Sequence, residues 1–109
     1  MPKAFHSTRD VIIRTEAWEA ATKFYAAVMG LPVSHRSDTL MGFETGSFCL
    51  YVEKGKDHGP VFEYLVPDVE TAKRELLAAG CNVVEENAAV PRCYIQDPYG
   101  VVFNIGKSH

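Results

Sequence analysis

Two carboxylates stand where carboxylates are costly. Asp10 and Glu63 each fall inside an alternating, β-branched run, 10–14 and 61–66, which is the pattern of a half-buried strand. An acid on the inward face of such a strand is unfavourable unless it is paired or wet. So placed, it accepts a hydrogen bond from a ligand hydroxyl or amine, or takes a proton from a substrate. Glu63 is the candidate for either role, catalytic or ligand-binding. Alternation puts Ile12 and Arg14 on the face of Asp10, and Val61 and Leu65 on the face of Glu63. The same reading sets Phe48 and Leu50, then Val102 and Asn104, on the inward face, with Arg92 and Tyr94 as further polar members. A few polar groups in an apolar wall are the composition of a small-molecule pocket.

Other chemistries find less support. Ser7, Ser34, Ser37, Ser47 and Ser108 lack a G-x-S-x-G elbow, and there is no glycine-rich phosphate loop. Cys49, Cys81 and Cys93 form no C-x-x-C pair, so neither a disulfide framework nor a zinc ribbon is expected. Cys49 and Cys93 read as buried, inert thiols. His6, His35, His58 and His109 share no helix turn or strand face with another ligand at metal spacing, and each reads as a surface imidazole. A formal charge of −3 disfavours nucleic acid and anionic membrane as partners. The first ten residues, MPKAFHSTRD, lack a signal-peptide core, and a reducing cytoplasmic setting is the expectation.

These residues must be carried by regular elements. With 109 residues, 47% of them hydrophobic and 23% charged, the chain has the length and composition of one compact domain. Trp18, Ala21, Tyr25 and Val28 form a helical stripe, and Val69, Ala72, Leu76 and Ala79 repeat it 51 residues later. Asp68 caps the second helix, and Gly30 and Gly80 end the two. Strands are expected at 10–14, 33–36, 40–44 and 48–52, and again at 61–66, 82–85, 92–96 and 101–105. Residues 45–47 turn one hairpin, and 97–100 form a type I turn in the other. The order is βαβββ, a polar linker at 54–60, then βαβββ, with module one over about 8–53 and module two over about 61–106.

Within that frame, Phe24-Tyr25-Ala26-Ala27-Val28-Met29-Gly30-Leu31, Val66-Pro67-Asp68-Val69, Ala78-Ala79-Gly80 and Asp97-Pro98-Tyr99-Gly100 occur in order. Together they resemble the vicinal oxygen chelate superfamily of glyoxalases, bleomycin-resistance proteins and extradiol dioxygenases. The resemblance implies an α+β fold of two tandem βαβββ modules, forming a curved, cup-shaped mixed sheet with helices on its outer face, commonly in a homodimer. It also implies one divalent metal acting as a Lewis acid on neighbouring substrate oxygens. Counting from Phe24-Tyr25 and from Gly46 and Gly100 puts the family's ligand positions at Asp10, Leu50, Val61 and Asn104. Two of these are aliphatic and one is a neutral amide. The expectation is therefore a protein without cofactor, nearest the bleomycin-resistance branch and its antibiotic-resistance role, sequestering or sensing an apolar or aromatic ligand. The alternative is a metal-dependent lyase, isomerase or dioxygenase, with its site rebuilt from Asp10, His58, Glu63 and Asn104.

Overall fold

The computed structural model describes residues 5–108. In chain order the elements are β1 (His6–Thr15), α1 (Trp18–Lys23) with a π-helical turn (Phe24–Val28), β2 (Val33–Arg36), β3 (Leu40–Glu44) and β4 (Cys49–Lys54). Then follow β5 (His58–Val66), α2 (Val69–Ala78), β6 (Asn82–Asn87), β7 (Arg92–Gln96) and β8 (Val102–Lys107). This is βαβββ twice. The linker is shorter than its composition implies, because β5 already begins at His58. The chain divides into two compact units, Arg9–Pro60, and Val61–His109 with the segment ending at Thr8. The start of β1 thus belongs with the second half of the chain. His109, expected as a surface imidazole, lies outside the described residues.

In the Arg9–Pro60 unit the strand order is β2-β3-β4-β1. Strands β1 and β4 run parallel, and the other pairs are antiparallel. Trp18, Met41, Phe43 and Val52 form its buried cluster, with Ile13, Ala21, Tyr25, Leu31 and Leu50 packed against it. The Trp18 indole N–H donates to the Val52 carbonyl at 2.7 Å. Val28, expected in this stripe, is instead 73% exposed. The cause is the π-turn, in which the Met29 N–H donates to the Phe24 carbonyl, five residues back. The extra residue rotates the stripe out of register, and Leu31 packs against the cluster instead.

The second unit orders its strands β5-β8-β7-β6, with β5 and β8 parallel and the rest antiparallel. Val66, Ala72, Cys81, Cys93, Ile95, Phe103 and Ile105 form its core, with Tyr64, Val69, Leu76 and Val83 packed on it. Helix α2 ends as the stripe predicts. The Cys81 N–H reaches the Leu76 carbonyl and the Gly80 N–H that of Leu77, while Gly80 takes φ +103°. That is a Schellman cap, and only glycine adopts its left-handed position without strain.

At the other end, Asp68 accepts from the Glu70 N–H at 3.2 Å and from the Thr71 hydroxyl at 2.6 Å. Chiefly the Thr71 hydroxyl, with the Glu70 N–H adding to it, holds the Asp68 carboxyl below its ordinary value of 3.8. A carboxyl lowered by folding adds stability above that value, and the contribution is lost as pH falls below it. Asp68→Asn keeps a capping oxygen without the charge. Its melting temperature is therefore expected to fall less than that of the wild type on acidification, as followed by circular dichroism. An identical acid profile would contradict the role given to Asp68. Among the described residues, no helix is long and apolar enough to cross a membrane.

Candidate functional site

The strand register of the second unit sets four side chains in one row. Glu63 on β5 pairs with Asn104 on β8, Asn104 with Tyr94 on β7, and Tyr94 with Glu85 on β6. All four lie on the face opposite α2, because their neighbours Tyr64, Cys93, Ile95, Phe103 and Ile105 are the ones packed in the helix-covered core. The alternation read from the sequence therefore holds for Glu63 and Asn104, and the register places Tyr94 on the same face. Val61 and Val102 share this parity; Val61 is 2% exposed and Val102 is half-buried.

Half-buried Glu63 is held at both oxygens. Its Oε1 accepts from the Thr8 hydroxyl at 3.2 Å, and its Oε2 from Asn104 Nδ2 at 3.1 Å. Asn104 is anchored in turn, because its Oδ1 accepts the Cys93 backbone N–H at 2.8 Å. Reversing the amide would face one donor with another and strand a part-buried N–H, at a cost of about 1–3 kcal/mol. Arg92 is directed to Glu85, at 3.1 Å, and its guanidinium stands 5.1 Å from the centre of the Tyr94 ring. Glu63 and Glu85 thus differ in setting: one meets a hydroxyl and an amide, the other a guanidinium.

The corresponding row of the Arg9–Pro60 unit reads Ile12, Tyr51, Gly42 and His35. A Cβ on Gly42 would lie 2.8 Å from the Tyr51 ring, so glycine lets that ring approach β3 closely. The His35 and Tyr51 ring centres are 6.3 Å apart. Asp10, Ile12 and Arg14 pair with Cys49, Tyr51 and Glu53. Arg14 is turned to its own unit, with its Nε donating to the Lys56 carbonyl at 2.9 Å and its Nη1 lying 3.9 Å from Glu53.

Leu50 is not on this face. It packs on the cluster of Trp18, Met41, Phe43 and Val52, and Phe48, of the same parity, lies exposed in the connection before β4. The expected register took Gly46 and Gly100 as equivalent, but the β3–β4 connection spans residues 45–48 whereas β7–β8 spans 97–101. A slip of one residue exchanges the faces of a strand. The residue of β4 that corresponds to Asn104 of β8 is therefore Tyr51, not Leu50. The alternation of Cys49, Tyr51 and Glu53 against apolar Leu50 and Val52 was the signal available for it.

These side chains do not fit a divalent metal. Leu50 is on the core side, Val61 is aliphatic, and Asn104 has its oxygen on a backbone N–H. The Nδ1 of His58 donates to the Gly59 carbonyl at 2.9 Å. Among the described residues, no group of three His, Cys, Asp or Glu side chains is placed to hold a metal. Burial pushes the Cys81 and Cys93 thiols up, disfavouring the thiolate nucleophile at those two positions.

Comparison with known proteins gives a consistent picture of the fold. The family described as a glyoxalase-like domain matches residues 10–106. No curated protein matches the chain. Among solved structures, a hypothetical protein from Bacillus halodurans superposes with TM-score 0.67 at 12% identity, covering 98% of this chain and 96% of that one. A glyoxalase/bleomycin resistance protein/dioxygenase superfamily member from Vibrio splendidus gives 0.64 at 14% identity, over 98% and 100%. Homoprotocatechuate 2,3-dioxygenase from Brevibacterium fuscum gives 0.67 at 18% identity, covering 97% of this chain but 37% of that chain. The present chain thus spans little more than a third of that dioxygenase. At these identities the likeness is one of fold.

Proposed function

The chain belongs to the glyoxalase-like domain family, and within it we propose that this protein is a metal-free binder of a small apolar or aromatic molecule, received on the Glu63 face of the second unit. The observation that carries this reading is the half-buried Glu63 carboxylate, oriented at both oxygens by Thr8 and Asn104. A carboxylate has about four lone-pair sites, so two hydrogen bonds leave it able to accept from a ligand hydroxyl or amine. Leu65 and Val102 share the parity of Glu63 and Asn104 and supply apolar wall, and Tyr94 pairs with Asn104 in the same row. The donor set around Glu63 argues against metal chemistry, since hard divalent cations require several converging oxygen or imidazole ligands.

Protein purified without an affinity tag is expected to carry no stoichiometric divalent metal by elemental analysis. Added nickel, zinc, manganese or iron is expected to leave its melting temperature unchanged, because anything that binds only the folded state must raise it. About one tightly held metal per chain would overturn the reading in favour of a metal-dependent lyase, isomerase or dioxygenase.

A further inference from the structure

Asn104 has two chemically different ends, and the backbone decides which of them Glu63 meets. The Cys93 N–H can only donate, so it takes Oδ1 at 2.8 Å and leaves Nδ2 to face Glu63 Oε2 at 3.1 Å. The second carboxylate oxygen is met by the Thr8 hydroxyl at 3.2 Å. Among the described residues, both hydrogen bonds to Glu63 therefore come from neutral groups, while Arg92 on the same face is directed to Glu85.

We propose that Asn104 is the specificity-determining residue of this face: by presenting an N–H group instead of an oxygen, it bars a divalent cation and reserves Glu63 for an organic hydrogen-bond donor, a hydroxyl or a protonated amine. The proposal rests on Glu63 being part of the binding face. The distinction is one of ligand number and of sign. A divalent cation needs several oxygens converging on one point, and the hydrogens on Nδ2 carry positive partial charge toward the place where it would sit. An O–H or N–H donor needs one lone pair, and the carboxylate keeps lone pairs free after accepting twice.

Asn104→Asp is the smallest change that tests this. It keeps the shape and an oxygen for the Cys93 N–H, and it sets an oxygen opposite Glu63 where Nδ2 now lies. With manganese, nickel or zinc ions alone as probes, the wild type is expected to melt at an unchanged temperature. Asn104→Asp is expected to gain a saturable rise of several degrees, reversed by a chelator and abolished when Glu63→Gln is added. Should Asn104→Asp fail to fold, Asn104→Glu carries the test; it likewise sets a carboxylate on this face beside Glu63 and is expected to show a rise of the same sign. A folded variant without any metal response overturns the role of Asn104 and leaves the Glu63 reading standing. A metal-induced rise in the wild type, lost in Glu63→Gln, overturns both.

Discussion

Phe43→Ala is expected to lower the unfolding free energy by about 3–5 kcal/mol, the range for emptying a packed aromatic site. Phe43 is fully buried among Trp18, Met41 and Val52, with the Tyr25 ring centre 5.8 Å away. Those neighbours are fixed by two strands, β3 and β4, and by α1 and its π-turn, so the cavity has little freedom to collapse. Against a domain stability of about 5–15 kcal/mol, the loss leaves a marginal protein. Thermal melts should show a fall of at least about 12 °C, taking about 4 °C per kcal/mol for a domain of this size. A fall below about 5 °C would contradict the packing described for this unit.

Glu63→Gln is expected to leave the fold intact while weakening ligand binding by about 1–3 kcal/mol, or roughly 5- to 150-fold. The fold survives because both partners can still be satisfied. The glutamine oxygen accepts from Asn104 Nδ2, and its NH2 donates to the Thr8 hydroxyl, which accepts as readily as it donates. What is lost is the charge and the acceptor capacity left over for the ligand. Calorimetric titration with a small aromatic alcohol or amine, wild type against variant, reads the difference. Equal affinity with unchanged stability would remove Glu63 from the site.

Much of this was legible in the chain itself. Trp18, Ala21 and Tyr25, with Val69, Ala72 and Leu76, announce two helices because helical spacing aligns them on one face, and packing confirms those faces. In module two, Phe62, Tyr64 and Val66 on β5 and Phe103 and Ile105 on β8 mark one face as apolar, so parity placed Glu63 and Asn104 on the other. Where the reading failed, it failed on a single residue. One extra residue in the π-turn moved Val28 into solvent, and one residue of difference between two hairpin connections moved Leu50 to the core and put Tyr51 in its place. Local propensity hardly senses either change, since a π-turn uses the same residues as an α-helix and a strand tolerates either parity. The anchoring of Asn104 by the Cys93 N–H was beyond reach for another reason. It depends on which backbone group a neighbouring strand presents, and no spacing in the sequence reports that.

On the function proposed above, Glu63 and Asn104 form a ligand-receiving face that works without metal. Chemical-shift mapping on 15N-labelled protein, with aromatic fragments bearing a hydroxyl or amine titrated in the presence of a chelator, tests it most directly. Fragment-induced shifts are expected to gather at the Glu63, Tyr94 and Asn104 backbone amides and at the Asn104 side-chain NH2, and to persist in the chelator. Binding that leaves those resonances unmoved, or that disappears when metal is removed, would contradict it.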